Sequence, residues 1–279
     1  MNHSNTMQDQ QALKESVREF WNSQSCGEVY ASGSSFKERM DTQAQERYKL
    51  EPYILGFAQF PSGAGKDVLE IGVGMGADHL EWAKAGPKSL TGIDLTERAV
   101  GFTSERLKAH GFQPNVRVGD AENLPFPDAS FDIVYSYGVI HCSPDTPKAV
   151  REIHRVLRPG GTARVLVYHY YSMVGYMLWA RYGLLAGRPF RSLADIYAHH
   201  LESPGIKAYT VEDARSMFSN FSQADVYTEL TFGDLLLGEV GRRRHSGPLL
   251  SVARALYPRW LIKRVIRNHG MGLFIAAVK

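Results

Sequence analysis

Between about residues 66 and 170, short apolar runs rich in β-branched side chains alternate with segments whose apolar positions recur every three or four residues. That alternation is the pattern of strands and helices wound into a parallel sheet. Strands are predicted at 66–72, 89–95, 115–120, 131–138 and 162–169. Helices fit between them. Residues 77–85 stop at Gly86-Pro87, and Thr96 can N-cap a helix running to Gly111. Ser143-Pro144 opens a third, with Val150, Ile153 and Leu157 on one face before Pro159-Gly160.

Upstream, residues 8–22 and 36–60 have helical character and are joined by the Ser/Gly-rich stretch SQSCGEVYASGSS, a candidate flap. Downstream, 170–218 reads as a mostly helical insertion, followed by strands at 223–231 and 272–278 with a basic, helical segment between them. The expectation is an α/β fold with a doubly wound, seven-stranded sheet and helical insertions after strands 5 and 6. It divides into a helical cover (1–65), a core (66–170), a lid (171–222) and C-terminal strands carrying the basic insertion (223–279).

The chain has 279 residues, 44% hydrophobic and 22% charged, so it can bury a core and is not a disordered or fibrous sequence. Lys and Arg number 32 against 29 Asp and Glu, a net charge of +3, too small to imply nucleic acid. The charge is uneven. From residue 240 onward there are nine Lys and Arg and no acid, leaving 1–239 with a net of −6. Cys26 and Cys142 lack metal-site or disulfide-framework spacing, so no metal is expected. The polar start MNHSNTMQDQQ has no signal-peptide pattern, and the longest uncharged run, 165–180, is 16 residues, short of a spanning helix. A cytoplasmic protein is expected.

Glu70-Ile71-Gly72-Val73-Gly74-Met75-Gly76 lies where a strand passes into a helix. Glycines there permit a tight turn and close ligand approach, and the helix start offers unpaired N–H groups. Gly72, Gly74 and Ala77 also satisfy a dinucleotide fingerprint, with Asp94 spaced to take a ribose hydroxyl. Glu70 favours a ligand ammonium over a diphosphate. Asp120, in Gly119-Asp120-Ala121-Glu122, can accept from an exocyclic amine at the end of the third strand.

With VLEIGVGMG, TGIDLT, GDAENLPF, FDIVYS and RVLRPGG in this order, residues 66–170 resemble the class I S-adenosylmethionine-dependent methyltransferases, in the branch with a UbiE-like domain. The resemblance implies a Rossmann-like core and S-adenosyl-L-methionine as cofactor. It also implies that Glu70, Gly72, Gly74 and Gly76 surround the methionine moiety. Asp94 would hold the ribose with Leu95 beside the adenine, and Asp120 with Ala121 would bind the adenine edge.

His141, just after the fourth strand, is the candidate general base, against the alternative that it orients the next helix start. Tyr30 in the flap and His169, Tyr170, Tyr176, Trp179 and Arg181 in the aromatic insertion are candidates for contact with a small-molecule acceptor, through ring faces or an anion-binding guanidinium. The basic segment 242–267 is amphipathic. Docking on the acidic body of its own chain, or on a second copy in a homodimer, is preferred to peripheral membrane contact, and no nucleic acid is expected. The function expected is methyl transfer to oxygen, nitrogen or carbon of a small organic molecule in secondary or lipid metabolism. An NAD(P)-dependent oxidoreductase, an inactive cofactor-binding subunit and a different sulfonium reaction stay open.

Overall fold

The computed structural model describes residues 3–237 and 254–279. Its sheet runs β3 (Val116–Val118), β2 (Ser89–Asp94), β1 (Asp67–Ile71), β4 (Phe131–Tyr137), β5 (Leu157–His169), β8 (Gly272–Val278) and β7 (Gln223–Glu229). The first five pair in parallel, and β8 runs antiparallel to both β5 and β7. These are the seven predicted strands. An eighth, β6 (Ala208–Tyr209), pairs with Tyr168 and His169 at the end of β5; two residues leave no periodic signal to read.

Period-two alternation divides the side chains between two cores. Val134, Val165 and Ile275 pack under α6 (Thr146–Val156) and α9 (Val211–Met217). Ile133, Tyr135 and Phe274 face Ile54, Phe57 and Trp82, from α3 (Tyr53–Ala58) and α4 (Ala77–Lys84). Covering both faces explains why these strands are apolar throughout rather than alternating. The chain leaves β1 toward β2 and β3 and returns on the other side at β4, so a crevice opens beyond the carboxyl ends of β1 and β4.

Thr96 caps α5 (Glu97–Ala109) as expected, its side chain accepting from Ala99 N–H. Elsewhere the boundaries move. Asp145, not Ser143-Pro144, caps α6, because its carboxylate accepts from Lys148 N–H while Ser143 closes the short turn Ile140–Cys142. Leu157 starts β5 opposite Phe131 instead of ending the helix. The helical stretch 36–60 breaks after α2 (Phe36–Leu50), where Pro52 cannot donate to a continuing helix.

The N-terminal helix α1 (His3–Ser23) and the insertion share one apolar cluster. Val17 joins Val174 and Leu178 of α7 (Met173–Trp179), Ile196 and Tyr197 of α8 (Leu193–His200), and Met271. In the basic segment, Arg242, Arg243, Arg244, Leu249 and Val252 lie outside the described residues. Of the described remainder, Arg259–Val265 forms α10, directly after Pro258.

Candidate active site

The glycine loop leaves β1 with Gly72, Gly74 and Gly76 all at positive φ (82°, 53° and 76°). A Cβ on Gly72 would stand 2.1 Å from Val139, and one on Gly76 2.8 Å from Thr103 Oγ1. At Gly74 nothing lies within 4 Å: the backbone there faces open space, the cradle that a closely approaching ligand needs. Asp94, at the end of β2, holds the loop in place. Its carboxylate accepts from Gly74 N–H (3.1 Å), Thr96 N–H (3.0 Å) and Thr96 Oγ1 (2.9 Å). Burial nevertheless raises its pKa above the ordinary value.

Glu70 is buried at the floor of the loop, 2.8 Å from His79 Nδ1. Burial drives the His79 imidazole down to about 3 and the Glu70 carboxyl well up. One proton is shared along the Glu70–His79 Nδ1 contact, and His79 Nε2 has no partner among the described residues. A ligand ammonium beside Glu70 would favour its ionised form.

A cavity of about 290 Å³ joins these groups, close to the lower end of the range for small-molecule sites, about 300 to 1,000 Å³. Glu70, Gly72, Gly74, Gly76, Asp94, Leu95, Asp120 and Ala121 all line it. The donor set fits a zwitterionic amino acid joined to a nucleoside: acids at three strand ends, an open glycine backbone and apolar walls from Ile93, Leu95 and Val139. One partner is unexpected. Lys14 of α1 lies 2.6 Å from Asp120 Oδ2 and 2.8 Å from Glu122 Oε2.

Further along, Arg47 of α2 donates to both oxygens of Asp78 (3.2 and 2.9 Å) and to Glu51 (3.3 Å). Burial works against the guanidinium charge, but Asp78 and Glu51 hold its pKa well above the usual value. Tyr137 donates to Glu51 at 3.0 Å, and Tyr168 donates to the buried Glu202 at 3.0 Å. Arg47, Glu51, Tyr137, Tyr168 and Glu202 line the cavity with Trp21, Phe232 and Met271. Tyr168 belongs to the aromatic run that opens the insertion, whereas sequence reasoning did not single out Arg47, Glu51, Tyr137 or Glu202 as site residues. Tyr137 carried a usable signal, since it ends β4, which borders the switch point.

The acceptor-side candidates lie elsewhere. His141 is fully buried and outside the cavity lining, although Ile140 and Cys142 line it. Its ring centroid is 4.1 Å from that of Tyr168, and neither ring nitrogen has a partner among the described residues. Burial, aided by Lys207, lowers its pKa to about 3, so it is neither placed nor poised to take a proton there. His169 points away from Tyr168 by strand alternation and donates from Nδ1 to the Gly270 carbonyl at 3.1 Å. Tyr176 bonds His269 (2.8 Å), Trp179 donates to the Arg191 carbonyl (3.1 Å), and Tyr170 accepts at its carbonyl from Tyr197 (2.7 Å). Arg181 is exposed over the Tyr182 ring, and Tyr30 sits in the turn Glu28–Tyr30. None of these six lines the cavity; the insertion spends its rings on its own packing.

Residues 69–165 match the family described as methyltransferase domain. Over 100 residues the chain is 44% identical to a phthiotriol/phenolphthiotriol dimycocerosates methyltransferase of Mycobacterium leprae, covering 35% of this chain and 36% of that protein. Over 103 residues it is 38% identical to the 27-O-demethylrifamycin SV methyltransferase of Amycolatopsis mediterranei, covering 36% and 38%. The chain thus matches little more than a third of the length of these curated relatives. Similarity of fold extends further. A geranyl diphosphate C-methyltransferase of Streptomyces coelicolor, solved with Mg²⁺, geranyl diphosphate and S-adenosyl-L-homocysteine, aligns over 95% of this chain and 97% of its own at 14% identity and a TM-score of 0.60. An S-adenosylmethionine-dependent methyltransferase of Mesorhizobium loti aligns over 81% and 97%, at 18% identity and a TM-score of 0.55. The glycine cradle at the switch point of this sheet lies within the residues that match the methyltransferase domain, and the fold is that of the S-adenosylmethionine-dependent methyltransferase structures.

Proposed function

We propose that this protein transfers a methyl group from S-adenosylmethionine to a small, uncharged, largely apolar organic acceptor. The observation that carries the reading is a single cavity in which the glycine cradle and acidic strand ends continue into a chamber lined by Tyr168, Glu202, Phe232, Met271 and Val174. Glu70 and Arg47 would hold the amino-acid end of the cofactor, Asp94 its ribose and Asp120 its base. Bound there, the cofactor supplies an electrophilic sulfonium methyl group. The residues around it have three tasks: to align the acceptor atom, to exclude water, and to receive a proton where that atom carries one. Alignment alone can account for about 7 to 11 kcal/mol of barrier.

Charge argues for an uncharged acceptor. Lys14 and Arg47 are the cationic lining residues, and both are already bonded to carboxylates. In the insertion, Arg191 is tied to Asp195 at 2.5 Å. Among the described residues no three His, Cys, Asp or Glu side chains are grouped to hold a metal. A diphosphate acceptor, such as the one bound by the Streptomyces enzyme, would meet Glu51 and Glu202 instead of cations. The relatives named for phthiotriol/phenolphthiotriol dimycocerosates and 27-O-demethylrifamycin SV support an organic, non-protein acceptor.

Glu202 is the group best placed to take a proton. It is buried in the apolar chamber, and Tyr168 orients its carboxylate there. Calorimetry with S-adenosylhomocysteine should show one-to-one binding that NADH does not compete. Labelled methyl groups should then appear in hydroxylated apolar acceptors. Failure to bind S-adenosylhomocysteine, or its displacement by NADH, would overturn the reading; tight binding without label transfer to any acceptor would favour a non-catalytic subunit.

A further inference from the structure

The segment from residue 256 to residue 267 has a fixed inner side and an uncovered outer side. Ile262 is buried, Tyr257 donates to the Asp234 carbonyl at 2.7 Å, and Arg259 Nε donates to the Leu235 carbonyl at 2.9 Å. With that side anchored, Leu256 is 77% exposed, Trp260 72% and Val265 67%, and Leu261 is exposed beside them. Between them stand Lys263, Arg264 and Arg267, all exposed and without an ion pair to a described residue.

We propose that this face docks on an anionic lipid surface. Aliphatic side chains and an indole interleaved with cations suit the headgroup boundary, where the rings and stems bury and the charges stay with the headgroups. No acidic residue occurs from 240 to 279, so the segment itself carries only positive charge. The same fact disfavours a second copy, because a two-fold contact through this face would bring two basic patches together. No described helix is long and apolar enough to cross a membrane, so the contact is peripheral. The anchor points, Asp234 and Leu235, directly follow Thr231, Phe232 and Gly233, which line the cavity. Docking therefore brings the cavity wall close to the lipid. The proposal does not depend on methyl transfer, and its test needs no cofactor.

The full chain is mixed with vesicles of phosphatidylcholine alone, or of phosphatidylcholine with about one third phosphatidylglycerol, and sedimented. Binding is expected to the anionic vesicles only, with loss in high salt. The double variant Leu256→Ala/Trp260→Ala should reduce the bound fraction about tenfold, and Lys263→Gln/Arg264→Gln should remove the salt dependence. These side chains are exposed, so unchanged thermal unfolding is expected of both variants. No sedimentation with anionic vesicles, or equal binding by the apolar variant, overturns the proposal. So does a dimer in analytical ultracentrifugation that Trp260→Ala dissociates, which would assign the face to a second copy.

Discussion

Lys14 Nζ stands 2.6 Å from Asp120 Oδ2, joining a helix near the start of the chain to the loop that follows β3, 106 residues later. Glu122 closes the same ion cluster at 2.8 Å. Burial opposes the lysine charge, but the two carboxylates together hold its pKa above the ordinary value. With Val17 and Trp21 also lining the cavity, α1 is a wall of the site, and Lys14 occupies the acid assigned to the adenine edge. Lys14→Met should therefore cost about 2 kcal/mol of stability, the scale of hydrogen bonds to charged groups. It should also speed dissociation of S-adenosylhomocysteine about tenfold, since α1 detaches more often. Stopped-flow release and chemical unfolding measure the two; an unchanged release rate would mean that α1 does not gate this end.

Asp94→Asn should weaken S-adenosylhomocysteine binding about tenfold to a hundredfold, because a charge-assisted acceptor for hydroxyls is replaced by a neutral amide. The Asp94 bonds to Gly74 and Thr96 also hold the loop, so part of the loss should appear as lower thermal stability without ligand. Calorimetry and thermal unfolding separate the two; full affinity in the variant would remove Asp94 from the ribose.

The sheet and the glycine end of the site were legible because their signals are local. A strand apolar on both faces, a cap, and a glycine that must adopt positive φ are each written in a few consecutive residues. Leu157 was ambiguous for a physical reason: it continues the apolar stripe of Val150 and Ile153 while being the first residue to pair with Phe131. The acceptor end depends on contacts between distant segments. Nothing near Arg47 announces Asp78, and nothing near Lys14 announces Asp120. The aromatic richness around Tyr176 and Trp179 was misleading, since their polar atoms are satisfied by His269 and the Arg191 carbonyl. Between neighbours, strand alternation alone decides that Tyr168 rather than His169 meets the cavity.

His141→Leu should leave turnover within about twofold and should not lower stability. Removing a buried polar group whose nitrogens are unpartnered, with similar volume retained, is neutral to stabilising. The imidazole already lies against Tyr168 with its pKa lowered to about 3, so no pH dependence of turnover near neutrality should vanish in the variant. Loss of an ionisation from the pH–rate profile would restore His141 to the chemistry.

Glu70 links cofactor binding to pH. Burial raises its carboxyl well above the ordinary glutamate value in the folded chain, so the folded state holds a proton that the unfolded state has released. Stability from this group is therefore present below the unfolded pKa and declines as pH rises toward the raised folded value. A ligand ammonium favours the ionised form, so S-adenosylhomocysteine affinity should strengthen over the same rise. Glu70→Gln should flatten both trends and weaken binding about tenfold. Thermal unfolding and calorimetry across the range from about pH 5 to about pH 8 measure them; parallel curves for variant and wild type would show that Glu70 does not titrate.

At the acceptor end, Glu202 is expected to receive the proton that leaves a hydroxyl as its oxygen is methylated, with Tyr168 orienting the carboxylate through the 3.0 Å bond. Glu202→Gln keeps the shape and the hydrogen bond but cannot take a proton. It should lower kcat by about a hundredfold or more, the usual scale of general-base catalysis, while S-adenosylhomocysteine affinity stays within about twofold. Tyr168→Phe leaves the base in place but less well held, and should cost about tenfold in kcat. The pair differ in pH dependence: with Gln the rate should rise steeply toward alkaline pH, as hydroxide ionises the acceptor in solution, and with Phe the wild-type profile should persist at lower amplitude. If Glu202→Gln retains wild-type kcat on a hydroxylated acceptor, the proton leaves by another route and Glu202 only shapes the chamber.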